Sequence, residues 1–349
     1  MPMLFIHQCT CISPQQTFPV ADLAVWHQPV NNKLVTIEPA YDGIPKGALR
    51  RMSKPVRIGI GAGLPLLNDE QKPDGIIIGT ANAGMEDCFY FLQQIIDYKE
   101  GLLTPGNFVQ STPNALAAQL GMLSHNKGYN ATHVHLGLAF ENALIDAMML
   151  LEENPGNSYL VGAVDDISTY NYNINLLDGW FKDAGYTAGN FYDTASTGSI
   201  PGEAAAMFTV NTHHENAVAK LTAIETMHST DSELVTLALE DFIAKNLPAG
   251  EHIDVLISGE NGDNRLMHYY ENCETLMNND AGILRFKHMS GEYPTATAMA
   301  LWLGCYILEQ KPIPGHMIKK SPASLNTKHI LIYNTFKGAQ HSFMLLSAI

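Results

Sequence analysis

The sequence predicts an α/β protein built on a mostly parallel or mixed sheet layered between helices. Two observations carry that reading. Short apolar runs of strand character recur along the chain, and between them lie longer stretches whose apolar residues return every three and four positions. Turn signals such as Asn154-Pro-Gly-Asn157 punctuate the alternation, no Ser/Gly-rich linker divides it, and no short-period repeat is present.

In chain order, the first strand expected is Leu34–Ile37, followed by a helix-like segment at Leu49–Lys54. The Gly-Ile-Gly-Ala-Gly run at Gly59–Gly63 has the look of a dinucleotide loop, but it follows a helix-like segment and a proline, and Leu64 stands where the third glycine would fall. No cofactor is therefore expected. Gly75–Gly79 (GIIIG) is the next strand, and Met85–Tyr98 and Asn114–Leu123 are amphipathic helices. From Gly128 to Ala147 (GYNATHVHLGLAFENALIDA) a strand-like alternation breaks at Gly137 into a helix that runs to Glu152. Strands follow at Tyr159–Ala163, Ala206–Val210, Val255–Ser258 and His329–Tyr333, with helices at Asp231–Lys245 and Thr295–Glu309. The last of these is apolar almost all round, which predicts a buried central helix.

Length and charge exclude several function classes. A chain of 349 residues, 46% of them hydrophobic, can bury one large core or two similar halves. No apolar run approaches the roughly 20 residues that cross a bilayer, and Met1–Thr10 has neither a basic leader nor a small-residue cleavage site, so the expectation is a cytoplasmic protein without membrane contact. With 20 basic against 35 acidic residues the net charge is −15, which argues against a nucleic-acid partner. One local exception, Lys46, Arg50, Arg51, Lys54 and Arg57, gathers cations enough to meet an acidic protein, although a solvated helix face explains it as well. The five cysteines are an odd, scattered set, expected as free thiols.

Several blocks, in order along most of the chain, resemble the β-ketoacyl synthases, condensing enzymes of the thiolase fold. Arg50-Arg51-Met52-Ser53 resembles that family's early basic helix, and Asp74–Met85 (DGIIIGTANAGM) its strand and glycine-rich turn. Leu103–Phe108 (LTPGNF) and Ser111–Leu123 (STPNALAAQLGML) are similar to the segment before its active-site strand. Tyr159–Ser168 (YLVGAVDDIS) and Pro201–Phe208 (PGEAAAMF) match its Gly-Ala strand and Gly-Glu-Gly-Ala motif. Lys287–Glu292 (KHMSGE) resembles Lys-x-x-x-Gly-His, and Asn334–Ser342 (NTFKGAQHS) the closing glycine-rich loop. The resemblance implies a thiolase-like fold of two pseudo-duplicated halves, 1–212 and 213–349, in α-β-α-β-α layers.

In that family a cysteine at a helix N-terminus takes an acyl chain from an acyl carrier protein, because the helix dipole raises its thiolate fraction. Two histidines and a lysine then serve decarboxylation. Carried across, the cysteine falls on Gly137, or with a slip of three on Val134. The first histidine falls on Gly259 and the second on Glu292, while Lys287 is retained. Three of the four positions are altered, so no catalytic residue is predicted. The resemblance then points to a chain-length-factor-like subunit, inert alone, that forms a heterodimer with an active ketosynthase and meets the carrier protein through it. Phe140, Met148 and Met149 are candidates for a wall of the acyl tunnel, equally readable as core, and the basic cluster for the carrier dock.

The rival reading is an acyltransferase or hydrolase of different mechanism that uses His133, His135, His288 or Glu292; a third reading is a carrier-binding scaffold. His133 and His135 share one strand face and are expected at a dimer interface, since two histidines without a third ligand make no metal site. His213 and His214 are expected in exposed turn or strand-end material. Cys305 is expected in the core, Cys88 lies among acidic neighbours, and His288 with Glu292 forms either an acid–base pair or a turn closed by a Lys287–Glu292 salt bridge.

Overall fold

The computed structural model describes residues 3–67, 72–182, 190–192, 195–324 and 326–349. Eleven strands form one sheet: β1 (Leu4–Ile12), β2 (Gly75–Gly79), β3 (Tyr129–His133), β4 (Tyr159–Asp165), β5 (Ala204–Asn211), β6 (Ala219–His228), β7 (Val255–Ser258), β8 (Gly282–Arg285), β9 (Ile318–Lys320), β10 (His329–Phe336) and β11 (Gln340–Ser347). Their order is β3-β2-β4-β5-β1-β6-β11-β10-β7-β8-β9. The same topology occurs twice. In the first half β3, β2 and β4 are parallel and β5 and β1 follow antiparallel; in the second, β8, β7 and β10 are parallel and β11 and β6 follow antiparallel. Leu4–Ile6 of β1 and Ala219–Leu221 of β6 join the halves edge to edge.

Helices fill the connections: α1 (Lys46–Leu49), α2 (Lys54–Gly63), α3 (Met85–Asp97), α4 (Pro105–Gln110), α5 (Ala115–Leu123), α6 (Ala139–Glu153), α7 (Thr169–Leu177), α8 (Ser232–Asn246), α9 (Met267–Thr275), α10 (Lys287–Ser290) and α11 (Thr297–Leu308). Three apolar clusters define the layers. The largest holds α6 and α11 between the two sheet halves, a second packs α2 and α5 on the outside of the first half, and a third packs α8 and α9 outside the second. This is the α-β-α-β-α layering that the family resemblance implies. Every residue of α11 is buried, as its unbroken apolar character requires.

Two expected elements differ. Leu34–Ile37 is not a strand. Its amides go to separate partners, Leu34 to the Pro201 carbonyl, Thr36 to the Glu203 carboxylate and Ile37 to the Ser13 carbonyl, so only an isolated bridge to Gly202 forms. Leu49–Lys54 is the break between two helices: α1 ends at Leu49, and α2 begins at Lys54 with Pro55 in its first turn, where the missing N–H costs nothing. Gly59–Gly63 consequently lies inside α2, its faces close against Leu116 and Leu120 of α5.

Candidate functional site

Strand β3 is one edge of the sheet and, among the described residues, pairs with β2 alone. Beyond it the chain passes through His135 and a 3-10 turn at Leu136–Leu138 into α6, the junction where a nucleophile would meet a helix N-terminus. Gly137 occupies that point. Its N–H donates to Gln340 Oε1 at 2.8 Å, so that amide is not free to hold an oxyanion. A Cβ added here would overlap the Cβ of Phe336 and stand 2.6 Å from its Cγ. Phe336, at the end of β10, thus fills the volume in which a cysteine side chain would sit.

The glycine-rich blocks read from the sequence converge around this junction. Pro201-Gly202-Glu203 runs beside Gly291-Glu292: Glu292 N–H donates to the Ile200 carbonyl at 2.7 Å, and Gly202 N–H to the Glu292 carbonyl at 3.0 Å. Gly291 adopts φ +71°, and a Cβ on either glycine would strike the other backbone, so this close approach requires both to lack side chains. Held this way, Glu292 accepts from Lys287 Nζ at 2.8 Å and from Asn261 Nδ2 at 2.7 Å. Gly259, to which the sequence assigned the first histidine's place, is outside this group: it packs on Asn334, and the side chain that faces Glu292 belongs to Asn261 two residues on. Lys287 is wholly buried, with its ammonium compensated by Glu292.

Deeper in α6, one turn past Gly137, Glu141 is fully buried and neither of its oxygens has a hydrogen-bond partner among the described residues. The hydroxyls of Thr297 and Ser342 face it without bonding geometry, and burial pushes its carboxyl up to about 7. A charged residue amid Ala139, Phe140, Ala143 and Leu144 is visible in the sequence as a break in an apolar face, yet sequence reasoning passed over it.

Above Glu292 and Asn261 opens a cavity of about 270 Å³, walled by Leu136, Tyr172, Trp180, Phe336 and Lys337. Two cations lie over the Trp180 ring, Arg265 at 4.3 Å and Lys337 at 4.9 Å from its centre. Lys337 also donates to Asn175 at 2.7 Å, and burial holds its ammonium below the usual lysine range. Asp166 shares the wall; burial and the neighbouring Glu203 and Asp165 carboxylates push it up to about 7. Beneath the cavity Asp165 clasps the two halves. It accepts from the Ala81 and Asn82 amides and the Thr80 hydroxyl on one side, and from the Thr295 hydroxyl, at the head of α11, on the other.

The remaining candidates disperse. His133 bonds Asp146 at 2.9 Å, and His135 accepts from Asn142 at 2.8 Å; both partners lie on α6, four residues apart, so each ring is pinned to the helix beside the free β3 edge. His288 and Glu292 form no pair. His288 is turned away, between Tyr192 and His316 at 3.0 and 2.9 Å, where burial pushes its imidazole down to about 3, whereas Glu292 takes the salt bridge to Lys287. His213 and His214 are exposed between β5 and β6. No group of three or more metal-ligating side chains gathers among the described residues. Phe140 and Met148 are buried in the central cluster, Phe140 against Phe208, while Met149 is 54% exposed on α6. Of the basic cluster, Lys46, Arg50 and Arg51 are exposed; Lys54 is paired with Glu203, and Arg57 clasps Glu38 through two bonds of 2.9 and 3.0 Å.

Residues 24–240 match the family described as β-ketoacyl synthase, N-terminal domain. The chain therefore belongs to the β-ketoacyl synthase family. No curated protein matches it. Among solved structures it is similar to a β-ketoacyl synthase from Burkholderia phymatum, with a TM-score of 0.80 at 12% identity and full coverage of both chains. It is similar as well to the ketosynthase ApeO in complex with its chain length factor ApeC from Xenorhabdus doucetiae (TM-score 0.74, 12% identity, 100% and 98% covered). The ishigamide ketosynthase/chain length factor gives 0.75 at 16% identity, with 99% of each chain covered. At these identities the likeness establishes the fold, which is that of the thiolase-fold ketosynthases. No helix among the described residues is long and apolar enough to cross a membrane.

Proposed function

We propose that the chain is a non-catalytic, chain-length-factor-like subunit that forms a heterodimer with an active β-ketoacyl synthase of a type II fatty-acid, polyketide or polyene system and helps shape its acyl tunnel. The observation that carries this reading is the Phe336 side chain beside Gly137: the site lacks a nucleophile and also the room for one. A glutamate paired to Lys287 where the family places a histidine supports it, since a carboxylate opposes the negative charge of an enolate. The free β3 edge, with Val134 and Leu136 each more than half exposed beside it, supports pairing with a second subunit. That two of the similar structures are ketosynthases with chain length factors is consistent with the same arrangement. Met149, exposed on α6, is the tunnel candidate a partner can touch directly, with Phe140 and Met148 behind it; Lys46, Arg50 and Arg51 remain the carrier dock.

The test is to produce the chain alone and together with the ketosynthase encoded beside it, then measure assembly by size exclusion and acylation by intact mass with a loaded carrier protein. A stable one-to-one complex in which only the partner becomes acylated is expected. Acylation of this chain by itself overturns the reading.

A further inference from the structure

The charged groups that line the cavity of about 270 Å³ above Glu292 leave one charge unanswered. Glu292 is held by Lys287 and Asn261, and Asp263 by the Arg265 guanidinium. Asp166 is pushed up to about 7, so at neutral pH it carries its proton about half of the time. Lys337 is the cation of the wall. It makes no salt bridge among the described residues, and of its three donors one goes to the neutral amide oxygen of Asn175, at 2.7 Å. Asn175 in turn donates from Nδ2 to the Asn171 carbonyl at 2.8 Å, one turn back on α7. Asn171 Nδ2 is buried at the same wall and has no acceptor among the described residues. Asn175 thus brings an unpaired cation and an unpaired amide donor to one patch of the cavity. The backbone points the same way. Lys337 (φ +55°) and Gly338 (φ +66°) are the two left-handed residues of the turn Phe336–Ala339, closed by the Ala339 N–H on the Phe336 carbonyl at 3.2 Å. Such positions suit Gly, Asn or Asp; a lysine there is strained, and strain of this kind collects where a side chain must be aimed at a ligand.

We propose that this cavity binds a small hydrophobic monocarboxylic acid, with its carboxylate between Lys337 Nζ and Asn171 Nδ2 and its hydrocarbon part against the apolar wall. One cation and one neutral donor match the single charge and two oxygens of a carboxylate, and a charge-assisted hydrogen bond strengthens as water is excluded. A doubly charged phosphate would meet one cation only. Ile167, Phe181, Leu266 and Phe336 supply the apolar wall, and the volume is near the roughly 300 Å³ at which small-molecule sites begin, room for a single ring or a short chain. An amine is disfavoured, because the Glu292 and Asp263 carboxylates are already engaged and Lys337 repels it. The site is made by this chain alone and needs no partner subunit, so its failure would leave the pairing proposed above untouched.

The experiment titrates the full-length chain at pH 7 with 3-phenylpropanoate by isothermal calorimetry, against 3-phenylpropanamide and 3-phenylpropan-1-amine as neutral and cationic counterparts of similar shape. Saturable heat at one site per chain is expected for the acid, with binding at least about tenfold weaker for the amide and none for the amine. Lys337→Asn keeps a residue that the left-handed turn accepts, and should bring the acid down to the affinity of the amide. Asn171→Leu, of similar volume, should weaken the acid several-fold. An amide that binds within about threefold of the acid, an amine that binds as tightly as the acid, an affinity that Lys337→Asn leaves unchanged, or no saturable heat up to about 1 mM acid overturns the proposal. The three ligands are compared on the unsubstituted chain, so the outcome does not depend on how the variants fold.

Discussion

At the scale of single residues, Gly137 and Phe336 exclude any simple restoration of the family's nucleophile. Gly137→Cys inserts a side chain where Phe336 stands, and overpacking of this kind costs about 1–3 kcal/mol. The variant should unfold at lower temperature in a calorimetric scan and take no acyl group from a loaded carrier by intact mass. Gly137→Cys combined with Phe336→Ala should recover part of the lost stability. Glu141 makes a second prediction, about pH. Its carboxyl is held at about 7 in the folded chain against an ordinary 4.5, so the folded state binds the proton more tightly than the unfolded state does. The stability this lends is complete below about 4.5 and is lost as pH rises through about 7, on the order of 3 kcal/mol in all. Urea unfolding of Glu141→Gln should show that portion of the decline between pH 5 and 8 abolished, and an unchanged pH profile would refute the assignment.

At the scale of elements, the β3 edge with its following turn is the surface on which the proposed partnership would depend. Val134 is 53% exposed and touches no core cluster, so Val134→Asp should leave the isolated chain's stability within about 0.5 kcal/mol. The same change places a charge on an edge that must be desolvated, and co-purification with the ketosynthase should fall sharply; retention of the complex would move the interface elsewhere. The elements differ in how plainly the sequence announced them. Helix α11 was legible because nothing polar interrupts it, and β2 and β7 because they are short apolar runs buried on both faces. Strands β1, β6 and β11 were not, since LFIHQCTCI, AKLTAIETMH and QHSFMLLS mix polar side chains into positions satisfied only by distant neighbours. His7 finds Asn211, Thr10 finds the Ala62 carbonyl and His341 finds Tyr333, and no local pattern encodes such pairings. The site was legible where motifs carry it, at Gly137, Lys287 and Glu292. It was not legible at Asn261 or Phe336, whose roles depend on which face of a distant loop meets the α6 junction.

At the scale of the whole molecule, the charge distribution sets how partners approach. The chain carries −15 overall, which opposes the approach of an acidic carrier, and the exposed cluster of Lys46, Arg50 and Arg51 would ease it locally. Reversing Arg50 and Arg51 to Glu should slow carrier association to the complex and flatten its salt dependence, as measured by stopped-flow fluorescence at several ionic strengths, while the thermal midpoint barely moves. Lys54 and Arg57 are unsuited to that role because Glu203 and Glu38 already hold them, and their replacement should act on stability instead.

The Asp165 clasp bears on the lifetime of the native state. Its oxygens are satisfied by Thr80, Ala81 and Asn82 from one half and by Thr295 from the other, and burial lifts the carboxyl to about 6. In a chain of which only the first half has formed, the Thr295 bond is missing while the three from Thr80, Ala81 and Asn82 can already be made. Interactions absent from the transition state for assembly set how fast a protein comes apart, not how fast it forms. A Thr295 bond that closes after that transition state is a kinetic latch: it leaves the rate of joining unchanged and lengthens the time for which the joined halves stay together.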